Sequence, residues 1–115
     1  MSMYTLDGQP MTSDPRHALQ RQVDALAAEG LHPAGAFELE FFLLSNERDA
    51  DGYVQPAADV LDGRRSHKTE VYSVDHLHGM LPLFSDIYAA AAKAGIKAET
   101  LISEYAPGQY ELTLH

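Results

Sequence analysis

The sequence predicts an α+β domain: a largely antiparallel sheet with helices packed on one of its faces. Three observations lead there. Two segments carry apolar residues at helical spacing between clear start and stop signals, a run of aromatic and aliphatic residues at 34–44 reads as a strand, and two more strand-like runs flank the turn pair Pro107-Gly108.

After a short extended start, Asp14-Pro15 opens a helix, because Asp is a good N-cap and Pro at the first helical position gives up only an N–H that would lack a partner. Leu19, Val23, Leu26 and Ala27 form its apolar stripe, Arg16, Gln20, Arg21, Asp24 and Glu29 face away, and Gly30 closes it. The segment AGAFELEFFLL, Ala34 to Leu44, follows as a strand. Its alternation sends Glu38 and Glu40 to one face and Leu39 and Phe41 to the other. Asn46 to Lys68 is polar and weakly patterned, with a turn expected at Asp51-Gly52 and a basic pair at Arg64-Arg65; a connection that long is either a functional loop or mobile. Asp75 is expected to cap a second helical region that runs to Ala94, with Leu83, Ile87, Ala90 and Ala91 as its buried stripe. Pro82 should split or kink it, and Gly95 ends it. Ile96 to Tyr105 and Gln109 to Leu114 are the last two strands. The pattern breaks off at His115 in mid-strand, so the expectation is a single partial domain, residues 1–115, of something longer.

The 115 residues, 45% of them hydrophobic, suffice for one modest core. With 8 Lys and Arg against 17 Asp and Glu, the net charge of -9 argues against nucleic acid or an anionic membrane surface as partner, while leaving divalent cations attractive. No apolar run approaches the roughly 18–20 residues that span a bilayer, and MSMYTLDGQP lacks the basic flank and apolar stretch of a signal peptide, so the expected location is the cytoplasm. The chain has no Cys, which leaves oxygen or His ligands for any metal.

The stretch SEYAPGQYEL, Ser103 to Leu112, concentrates the chemistry. If Pro107 and Gly108 are the two central turn residues of a hairpin, Glu104 and Glu111 stand directly opposite one another, where like charges destabilise a sheet. In water such a pair is tolerated, and a solvated sheet face is the plain alternative. In a cleft it needs a cation, a basic partner or a raised pKa. Glu38 and Glu40 interrupt an almost wholly apolar strand, both of whose faces should be covered, and four carboxylates on strand faces are hard oxygen ligands suited to Mg²⁺ or Mn²⁺.

Several short motifs, in order, resemble the glutamine synthetase catalytic domain: DGQP and DPR near the start, FELEFFLL at Phe37 to Leu44, AGIKAE at Ala94 to Glu99, and SEYAPGQYEL. The resemblance covers nearly the whole chain, with Asn46 to Lys68 matching poorly. It implies an ATP-dependent ligase that forms an amide at the γ-carboxylate of glutamate through a γ-glutamyl phosphate, with ATP, glutamate and ammonia or an amine as its reactants. It also implies Mg²⁺ or Mn²⁺ ions between glutamate side chains and the ATP phosphates. Residue by residue, Glu40, Glu104 and Glu111 match the ligands of the metal on the substrate side. Glu38 matches a ligand of the metal on the nucleotide phosphates, and Glu99 falls near the nucleotide's ribose, where a solvated charge is the competing reading.

The interval between Glu104 and Glu111 is one residue shorter than in the best-known bacterial glutamine synthetases, and Leu101-Ile102-Ser103 replaces the His-rich stretch usual there. These features and YSVDHLHGMLPLFSDIY are more similar to the γ-glutamylpolyamine synthetase branch. The family's small N-terminal β-domain and downstream catalytic portion have no counterpart among these 115 residues, so the chain alone is expected to be inactive and its parent a homo-oligomer. Two rival readings remain: a catalytically silent regulatory or scaffold module that keeps the sheet, and a phosphotransferase of guanidino-kinase type, which would need an arginine-rich phosphate site. His76 and His78 diverge on a helix and are not expected to share a metal, and Tyr72, Tyr105 and Tyr110 are expected to pack on the sheet.

Overall fold

The computed structural model describes residues 1–115, which form two compact units, Met1–Gly35 and Ala36–His115. In the first, the helix α1 (Pro15–Ala28) begins where the sequence places it. Asp14 caps it by accepting from the Arg16 N–H at 2.8 Å, and its other oxygen accepts from the Met3 N–H. These bonds hold the Asp14 carboxyl below its ordinary range, that from Met3 most strongly. At the other end Gly30 takes φ 76°, and its N–H and that of Leu31 cap the carbonyls of Ala27 and Leu26. None of the residues of α1 is buried, and Leu19 of the expected stripe is 64% exposed.

The second unit contains β1 (Phe37–Phe42), β2 (Leu44–Arg48), β3 (Val54–Pro56), α2 (Val74–Gly79), α3 (Leu81–Lys93), β4 (Ala98–Ser103) and β5 (Gln109–Leu114). β5 is the centre of an antiparallel three-stranded sheet of order β1-β5-β4, while β2 and β3 form a separate antiparallel ribbon. Alternation along β5 buries Tyr110 and Leu112 on one face. Tyr110 meets Phe84 of α3 edge-on at 4.9 Å and joins Met80 in the core, with Phe41, Leu77, Leu83, Ile87 and Leu101 packed around them. The expected arrangement, an antiparallel sheet with helices on one face, is therefore present in α2 and α3.

The helical boundaries differ in one detail. Ser73, not Asp75, is the N-cap, its hydroxyl accepting from the His76 N–H, and Asp75 lies in the first turn. Pro82 sits in the first turn of α3, so the region is split into two helices at Met80. The polar stretch 46–68 is less irregular than its composition implied. Asp49 accepts through Oδ1 from the N–H groups of Asp51 and Tyr53, and Gly52 takes φ 87°, so the expected turn connects β2 to β3.

A larger correction concerns the hairpin of β4 and β5. Ser103 pairs with Tyr110 and Ile102 with Glu111, so Ile102, not Glu104, lies opposite Glu111. Ala106 to Gln109 form a turn closed by the Gln109 N–H on the Ala106 carbonyl at 2.9 Å, with Gly108 at φ 75°. Pro followed by Gly at positive φ is the type II signature, whose twist does not suit a two-residue hairpin, and the strands resume pairing only where Glu104 N–H meets the Gln109 carbonyl at 2.9 Å. Ser103 is 1% exposed; its hydroxyl accepts from the Ser73 N–H at 2.6 Å, and its carbonyl accepts from the Tyr72 N–H at 2.9 Å. Those bonds hold Tyr72 at φ 57°, the one non-glycine residue with positive φ. Tyr72 and Tyr105 are exposed rather than packed on the sheet, and Tyr110 alone of the three is core.

Gly108 is the joint between the turn and the ribbon. Its carbonyl accepts from the Leu43 N–H at 2.8 Å, and a Cβ at this position would lie 2.7 Å from the Leu43 carbonyl oxygen. Gly108→Ala is expected to destabilise the chain by about 1–3 kcal/mol through its left-handed backbone alone, with the Leu43 contact adding to that. Urea unfolding followed by circular dichroism measures the loss; an unchanged midpoint would show that the turn is not constrained in this way.

Candidate metal centre

The face of the sheet opposite the core is acidic because β1 and β5 alternate in step. Glu40 is the register partner of Glu111, and Glu38 that of Thr113. Glu104 follows buried Ser103 and so points with Ile102 to the same side as Glu111. The sheet thus brings Glu38, Glu40, Glu104 and Glu111 to one face. The carboxylates that face one another across a strand pair are Glu40 and Glu111, on β1 and β5, rather than the predicted Glu104 and Glu111.

The electrostatics agree with this placement. Partial burial pushes the Glu111 carboxyl above its ordinary value, and repulsion from Glu38, Glu104 and Glu40 adds to it, against a hydrogen bond with Thr113 that works the other way. One neutral group answers the charge. Gln109 donates from Nε2 to Glu40 Oε2 at 2.8 Å, while its Oε1 accepts from the Ala106 N–H at 3.1 Å. In the sequence Gln109 is marked only by its place two residues before Glu111 on the same strand face.

Glu99 does not join the four. Its carboxylate lies 3.8 Å from His115 Nδ1, and its carbonyl accepts from the Tyr88 hydroxyl at 3.4 Å. Between Ala98 and Leu101 the β4 register shifts, which interrupts the alternation leading back from Glu104 to Glu99.

Four carboxylates on one face are hard oxygen donors of the kind that suits a divalent cation such as Mg²⁺ or Mn²⁺. No three His, Asp or Glu side chains converge to ligating distance in the structure. What the strands supply is the shared face and the register of the four carboxylates.

A hollow of about 780 Å³ between α2 and the segment before it contains none of these glutamates. Arg64, Arg65 and Lys68 share its lining with acidic groups, and several are already committed: Arg64 to Asp62 at 3.5 Å, Arg65 to Ser45 Oγ at 3.2 Å, and His76 to Glu70 at 3.1 Å. Asp59, against the backbone of Gly79, is raised by burial and by Asp62, with His76 and Arg64 opposing.

The second unit is thus an antiparallel sheet with glutamates on one face and α2 and α3 on the other. The chain belongs to the glutamine synthetase family. The profile "Glutamine synthetase, catalytic domain" matches residues 12–115. Over 115 residues, all of this chain and 24% of the relative, it is 38% identical to the γ-glutamylputrescine synthetase PuuA of Escherichia coli (strain K12). Over 112 residues, 96% of this chain and 23% of the relative, it is 32% identical to a glutamine synthetase of Thermotoga maritima. A glutamate–isopropylamine ligase of Pseudomonas sp is 28% identical over 113 residues, 95% of this chain and 23% of the relative. The chain spans about a quarter of the length of these relatives. No helix in it is long and apolar enough to cross a membrane.

The raised Glu111 carboxyl sets a sign for pH. Its contribution to stability is fully present below its unfolded value near 4.5 and is lost as pH rises through the higher folded value. Without metal, Glu111→Gln is expected to be more stable than the wild type at pH 7, with the difference shrinking towards pH 4.5. Urea midpoints of the two proteins across that range test this, and a difference independent of pH would remove Glu111 from the titrating set.

Proposed function

We propose that this chain is part of an ATP-dependent ligase that forms an amide at the γ-carboxylate of glutamate through a γ-glutamyl phosphate, with ammonia or an amine as acceptor. The observation that carries the proposal is the shared face of Glu38, Glu40, Glu104 and Glu111, with Glu40 directly opposite Glu111, in a chain of this family. The identity with a γ-glutamylputrescine synthetase along the whole chain favours an amine acceptor.

On this reading Glu40, Glu104 and Glu111 hold one Mg²⁺ or Mn²⁺ and Glu38 holds a second that carries the nucleotide phosphates. Glu99 lies towards the ribose, and its present partner His115 would have to yield it. Bound divalent ions would neutralise phosphate charge and hold the reacting oxygens in line. The chain's own residues orient that charge: β1 and β5 fix the spacing of Glu40 and Glu111, and the core face keeps both strands in register. The parent is proposed to act in the cytoplasm as a homo-oligomer.

Mn²⁺ titration of the folded chain, read by loss of the free-ion EPR signal, tests the site. Stoichiometric binding is expected, weakened more than about tenfold by Glu40→Gln and by Glu111→Gln. A folded wild type that binds no Mn²⁺, or variants that bind as it does, would favour a silent module that has kept the sheet without the ion.

A further inference from the structure

We propose that Gln109 is a positioning residue of the cation site, its side-chain amide holding the Glu40 carboxylate in place on the sheet face. This rests on the reading of Glu40 as a metal ligand. Gln109 heads β5, and the alternation that aims Glu111 at the acidic face aims Gln109 there as well. Its amide has a donor end and an acceptor end, and the neighbours distinguish them. The acceptor meets the Ala106 N–H at 3.1 Å, and the donor meets Glu40 Oε2 at 2.8 Å. Turning the amide over would place oxygen against carboxylate and an NH₂ against an N–H, so the orientation is fixed by its partners.

The turn that carries Gln109 is itself anchored. The Gln109 N–H is bound to the Ala106 carbonyl, the Gln109 carbonyl accepts from Glu104, and Gly108 accepts from Leu43 just beyond β1. The amide is thus a fixed bracket between the β4–β5 turn and β1. With Oε2 of Glu40 engaged, Oε1 is the oxygen left for an ion. The bond also sets a donor against the carboxylate that stands opposite Glu111, where nothing basic is available: neither Glu40 nor Glu111 has a Lys, Arg or His partner within ion-pair distance.

A double-mutant cycle on Mn²⁺ affinity separates positioning from general support of the fold. In the full chain, Gln109→Leu is expected to weaken Mn²⁺ binding about tenfold in the wild-type background, as loss of a partner that orients a ligand does, and to change it little in the Glu40→Gln background. Gln109→Met, unbranched and of similar length, provides the same comparison if the Leu variant does not fold, and circular dichroism establishes the fold of each. An equal loss in both backgrounds, or no loss in either, overturns the inference while leaving the metal site standing. Absence of Mn²⁺ binding by the wild type, or indifference to Glu40→Gln, overturns the metal reading and this inference with it.

Discussion

The two-residue alternation of β5 is the constraint on which the rest of this unit depends. β5 is hydrogen-bonded on both edges, so its register fixes the placement of β1 and β4 together. Tyr110 and Leu112 face α2 and α3, where burial of apolar area stabilises the fold, and this forces Gln109, Glu111 and Thr113 to the other side. A slip of one residue would drive Glu111 into the ring of Phe84 and bring Tyr110 into water. The core therefore determines which face is acidic, and the acidic residues themselves contribute only repulsion to that choice.

That repulsion is kept rather than relieved. Glu40 opposes Glu111 across adjacent strands with Glu38 and Glu104 nearby, an arrangement that costs stability and keeps the Glu111 carboxyl raised. The neutral Gln109 amide meets part of it by donating to Glu40. A folded domain accepts this because the cost is local while the packing of Phe84, Met80 and Tyr110 is not, and because departures from local preference concentrate where a protein acts.

The sequence was legible where a single local cause decides the outcome. Asp14-Pro15 and Gly30 bound α1, Pro82 divides α2 from α3, and alternation alone gives the shared face of Glu38 and Glu40. It was illegible where two causes compete. The Pro107-Gly108 pair favours a type II turn, which resists a two-residue hairpin, yet nothing local says how far the strands move before pairing again. Two residues is an even displacement, which changes Glu104's partner but preserves its face; the acidic face was therefore predicted correctly from an incorrect pair. The Glu40–Glu111 pairing could not be read because it joins residues 71 apart through a sheet order that the sequence does not state. Ser73 displaced Asp75 as a cap for a tertiary reason, since buried Ser103 fixes the chain on either side of it.

The raised Glu111 carboxyl and the proposed affinity for a divalent cation are one property seen with two ligands. A face crowded with carboxylates binds a proton more tightly because the proton removes a charge, and a divalent ion would be favoured for the same reason, by twice the charge. Proton and ion would then compete for Glu111, and lowering the pH is expected to weaken any binding of the ion. Glu111 is the most crowded of the four because it lies on the central strand, between β1 and β4. The topology that gives the unit its core thus also gathers these carboxylates on the opposite face.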